Sequence, residues 1–112
     1  MGRLSKPSKD LSSRIMTDVG FEERLIGYRL RARTGPLSIS LYSFREVVDL
    51  LNDPHPRIDF NYLRKWIKDT MGDDELSNEI EVMIQKDISN HEKSLLIRNK
   101  MEERLLQCQK IL

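Results

Sequence analysis

Arg29, Arg31 and Arg33 alternate with Tyr28, Leu30 and Ala32, so on an extended strand the three guanidinium groups share one face. Alternate side chains on such a strand stand about 6.5–7 Å apart, close to the spacing of phosphates along a nucleic-acid strand. Ser38 and Ser40 of the next extended segment are expected on that same face. Its simplest role is a solvated face, neutralised by acids such as Glu79, Glu81 or Asp87; the binding roles are a protein partner or nucleic acid. A nucleic-acid ribbon normally comes with a strongly basic domain and interleaved aromatics. A net charge of +1 and a lone Tyr28 fit that poorly.

The other chemistry-bearing residues read as structural. His55 lies between two prolines and His91 near the start of a helix, and neither has metal-ligand spacing with Cys108. Cys108 falls on an apolar stripe, where a buried, unreactive thiol is expected. Asp69, Asp73, Asp74 and Glu75 form an acidic run, but helix capping accounts for the last three and no calcium-loop pattern accompanies them. The five glycines make no phosphate-cradling loop. The expectation is therefore a chain that is not an enzyme, with no catalytic residue, cofactor or metal ligand. Trp66 is either core packing or an anchor for a partner.

Length and composition bound the setting. At 112 residues the chain suits one domain. No apolar run is long enough for a membrane span, and the polar start has no signal-peptide core, so the expected location is cytoplasmic, without a membrane partner. One cysteine permits no internal disulfide and suits a reducing compartment. Residues 1–33 carry eight Lys or Arg against four Asp or Glu, and the remainder eleven against fourteen. Such opposed halves attract one another within a molecule or between two.

Residues 1–9 are polar and read as a flexible tail, leaving 10–112 as a single α+β domain. Leu11, Ile15 and Val19 recur at helical spacing, with Asp10 as the expected cap and Gly20 as the stop. Strict alternation in 28–33 and 37–41 around Thr34-Gly35-Pro36 predicts a β-hairpin. Two capping boxes, Ser43 with Glu46 and Ser89 with Glu92, open helices, and a third and fourth helix meet near Gly72 and Asp73. Ile58 and Phe60 flank Asp59, as a short third strand or a helix cap. The fold class is thus α+β and mostly α: a hairpin, with a short third strand as an option, packed on four to five helices. The last helix carries a wide apolar stripe from Leu95 and Ile97 to Leu112.

The stretch from Asp59-Phe60 through Trp66-Ile67 to Gly72-Asp73 and Leu76 resembles a small archaeal and bacterial domain family of unknown function. That family pairs an Asp-Phe and Trp-Ile helix with a Gly-Asp turn and an Arg- and Glu-rich terminal helix; Ser77 stands where the family has Ala. The resemblance implies a mixed helix–hairpin fold and a prokaryotic, cytoplasmic origin. The family has no established activity, so no site residue is carried over from it.

Together these features predict a protein-interaction or regulatory module that self-associates as a homo-oligomer. The hairpin's open edges and the apolar stripe that runs to Leu112 motivate that expectation. The surface residues expected to meet the partner, whose identity the sequence does not specify, are Arg29, Arg31, Arg33, Trp66 and Leu112. The alternative is a nucleic-acid-binding module built on the arginine face with Lys6, Lys9 and Arg14.

Overall fold

A computed structural model describes residues 3–31, 35–53 and 56–112. It is a mostly helical α+β fold. Helix α1 (Lys9–Ile15) leads through a 3-10 turn (Phe21–Glu23) into strands β1 (Leu25–Arg31) and β2 (Gly35–Leu41). Helix α2 (Phe44–Leu51), the two-residue strand β3 (Pro56–Arg57) and helices α3 (Phe60–Asp69), α4 (Asp74–Ile84) and α5 (Asn90–Ile111) follow.

Local hydrogen bonding sets most helix starts. Ser43, Asp59, Asp73 and Ser89 each accept the backbone N–H three residues on, at 3.0–3.1 Å, satisfying a donor that the first turn would otherwise leave unpaired. Asp59 is therefore a cap, and the third strand forms just before it. Gly72 has φ of 75°, the left-handed conformation that lets α3 end and α4 begin almost at once. Helix α1 departs from expectation at both ends. Ser8, not Asp10, caps it, and it stops at Ile15, because the Val19 N–H donates to the Tyr42 carbonyl beside β2 (2.7 Å) instead of continuing the helix.

The sheet has the order β2-β1-β3, antiparallel throughout. Leu25 pairs with Leu41, Gly27 with Ile39, and Arg29 with Leu37. Helix α5, about 33 Å long at 1.5 Å per residue, runs through the molecule with α1, α2 and α4 packed around it, and α3 lies on α4. The core joins Leu25 and Leu41 of the sheet to Phe44, Val47 and Leu51 of α2. It continues through Leu63 and Ile67 of α3, Leu76 and Ile80 of α4, and Ile97 and Met101 of α5.

The described part of the expected flexible tail is instead docked. Leu4 is 4% exposed and Pro7 is buried. The Leu4 N–H donates to Glu103 (2.7 Å), and the Leu4 carbonyl accepts from the Gln107 amide (2.9 Å). The polar composition of this segment gives no hint of docking because the bonds of Leu4 come from its backbone.

Candidate interaction surfaces

The hairpin forms, but not with the face expected of it. Paired positions sum to an even number, so odd-numbered positions of both strands lie on one side of the ribbon. Positions 29 and 31 therefore share a side with Leu25, Gly27, Leu37, Ile39 and Leu41, whereas Ser38 and Ser40 stand opposite Tyr28 and Ile26. Positions 38 and 40 therefore do not share a side with positions 29 and 31. Arg29 and Arg31 belong to β1, with Arg31 opposite Gly35; Arg33 and His55 lie outside the described residues. One guanidinium that reaches the serine side is that of Arg24, which the sequence pattern did not single out. Its Nε donates to Ser40 Oγ (3.3 Å), its Nη1 to the Phe21 carbonyl (2.8 Å), and it lies 3.7 Å from the Phe21 ring centroid.

Strand β2 is one of the two outer strands of the sheet and carries no charged residue along Gly35–Leu41. Leu37 is 45% exposed, and Tyr28 across from Ser38 is exposed as well. Among the described residues, the backbone hydrogen bond from outside the sheet nearest this strand lies past its end, from Val19 to Tyr42.

Trp66 is not a displayed anchor. It is 5% exposed, and its Nε1–H donates to the Glu23 carbonyl (2.7 Å), pinning the 3-10 turn onto α3. The ring meets its own chain first, so the partner role is withdrawn; the exposed aromatic of α3 is Tyr62. The width of the α5 stripe also has an internal cause, since α1, α2 and α4 all pack against this helix. Leu106 and Leu112 remain outside this packing, each 59% exposed.

The sequence pattern does not single out a buried polar network centred on Arg104. Arg104 is 1% exposed. Its Nε and Nη2 meet the two oxygens of Asp73 at 2.8 and 3.3 Å. Nη2 also donates to Glu75 (2.9 Å), and Nη1 to the Ser5 carbonyl (2.7 Å) and Gln107 (3.0 Å). All five guanidinium hydrogens thus have an acceptor. The signal was present: Arg104 lies within the buried stripe of Met101, Leu105 and Cys108, and a buried cation requires a buried acid. Asp73 supplies it while also capping α4, and Glu75 receives both the N–H and the hydroxyl of Ser5. Burial works against ionisation of Glu75, but the Ser5 and Arg104 hydrogen bonds outweigh it and hold its carboxyl below the ordinary value. Two members of the acidic run are therefore structural. Cys108 is fully buried, and burial pushes its thiol pKa up, away from nucleophilic character.

The cations paired with the arginine face in the nucleic-acid reading are divided. Arg14 stands beside Gly72, where an added Cβ would come within 2.5 Å of its Nη1. Lys6 and Lys9 lie against the last turns of α5. No helix among the described residues is long and apolar enough to cross a membrane. Compared with known proteins, the chain matches no protein-family model, no curated protein and no solved structure.

Proposed function

We propose that this chain is a non-enzymatic protein-interaction module that associates with a second copy of itself through the outer edge of β2. The observation that carries the reading is a seven-residue edge strand without a single charged side chain. An edge presents a row of backbone donors and acceptors to any passing strand, and natural sheets protect such edges with Lys, Pro, bulges or covering elements. Here Pro36 near one end is the only such device in the strand's sequence. Pairing of β2 with β2 of a second copy about a two-fold axis would satisfy both edges and extend one sheet through both molecules. A single cysteine, Cys108, makes this module suited to a reducing cytoplasm.

Equilibrium sedimentation from micromolar to millimolar protein tests this. The expected mass rises from that of one chain, 13.2 kDa, toward twice that value. Leu37→Lys puts a charge on the edge at an exposed position and holds the mass at one chain without lowering the thermal midpoint. A single-chain mass at every concentration removes the proposal, and so does a Leu37→Lys variant that still doubles.

A further inference from the structure

A second surface has a different chemistry and does not depend on the β2 edge. A groove of about 790 Å³ runs between residues 3–9 and the end of α5. Arg3, Lys6, Lys9 and Lys110 line it, all exposed, and among the described residues no carboxylate does. Among the described residues none of the four makes an ion pair or a side-chain hydrogen bond. Three earlier cations of the same helix are treated differently: Arg98 pairs with Glu102, Lys100 with Glu79 and Glu103, and Arg104 with Asp73 and Glu75. Below the four charges lie Leu4, Pro7 and Ile111, an apolar floor.

We propose that this groove binds an acidic peptide segment carrying apolar side chains. Four like charges around one opening repel each other, and an anion in the groove relieves that repulsion. The floor adds a second requirement, because apolar surface gains only when an apolar group covers it. An acidic, Leu-bearing segment meets both. A nucleic-acid strand brings phosphates but nothing apolar on its backbone, and among the described residues no aromatic side chain lines the groove for a base to stack on. The wall is also preformed. The Leu4 backbone is held on both sides by Glu103 and Gln107, and Ser5 by Arg104 and Glu75, so binding orders little new chain. The volume lies within the range of about 300–1,000 Å³ usual for ligand sites, enough for a few side chains rather than a whole domain.

The test is a titration of isotope-labelled protein with a short peptide of alternating Asp and Leu, followed by NMR at low and physiological salt. Saturable shifts are expected at residues 3–9 and 107–111, with affinity falling about tenfold as salt screens the four cations. Lys9→Glu combined with Lys110→Glu, both exposed and unpaired, weakens binding by at least about tenfold and leaves the circular dichroism and thermal midpoint unchanged. A peptide of alternating Asp and Gly binds at least about tenfold more weakly, since it cannot cover the floor. Equal binding of the Asp–Gly peptide, equal binding of a Lys–Leu peptide, tighter binding of a single-stranded oligonucleotide, or no saturable shift with the Asp–Leu peptide each overturns the proposal.

Discussion

Residues 3–8 have no regular secondary structure and the β1–β2 hairpin is regular along its described length, yet the irregular segment has the more distant ties. Leu4 and Ser5 bond to Glu75, Glu103, Arg104 and Gln107, partners 70 to 103 residues away in the chain. The hairpin is buried at its base, at Leu25 and Leu41, and increasingly exposed toward Tyr28 and Leu37. A ladder of strand bonds holds two neighbours to each other and does not by itself hold them to the rest of the molecule. A buried guanidinium with every donor satisfied does so at one point, because leaving any acceptor unpaired is costly in a low-dielectric site.

The largest effect should come from Arg104. Arg104→Met leaves Asp73 buried and uncompensated, and urea unfolding should show a loss of about 3–5 kcal/mol. Adding Asp73→Asn keeps a capping side chain, removes the stranded charge and should recover part of that loss. A single-variant loss below about 1 kcal/mol would mean that the network is not what secures the segment. Next, Leu4→Ala should cost about 2–3 kcal/mol as a buried leucine, whereas Leu37→Ala should stay within about 0.5 kcal/mol. The reverse order would break the comparison between the two regions.

At the hairpin's base, Gly27→Ala should cost about 1–2 kcal/mol by crowding, since its Cβ would sit 2.5 Å from Leu50 Cδ2 in the core. The smallest effect is one of pH. The folded state depresses the Glu75 pKa, so its contribution is present above the ordinary glutamate value and is lost as pH falls through the depressed one. Urea midpoints should therefore be lower for Glu75→Gln than for the native protein at neutral pH, and the two should converge in acid. A constant difference across that range would mean that Glu75 acts through packing alone.

Much of the fold was legible because its signals are short-range. Ser43, Asp59, Asp73 and Ser89 cap helices through bonds spanning three residues, and the apolar spacing of α2 through α5 reports the face each helix buries. The candidate surface was less legible. Alternation in 28–33 and 37–41 correctly indicates two strands, but alternation is blind to register, and a one-residue change in pairing exchanges the faces. Trp66 shows the same limit. Its type marks it as valuable to some interface, and the Glu23 carbonyl 43 residues away decides that the interface is internal.

By itself, the order of residues determined the starts of α2 through α5, the two strands and the mostly helical α+β class, since each depends on side chains and backbone within one or two turns. The tertiary structure alone decided the rest. Strand pairing chose which positions share a side with position 29, and packing against α1, α2 and α4 accounts for the width of the α5 stripe. Arg104 anchored a segment that composition marks as loose, and the return of α5 beside residues 3–9 brought Lys6 and Lys9 to Lys110. These are contacts between residues tens to a hundred positions apart, and no local pattern records which distant groups will meet.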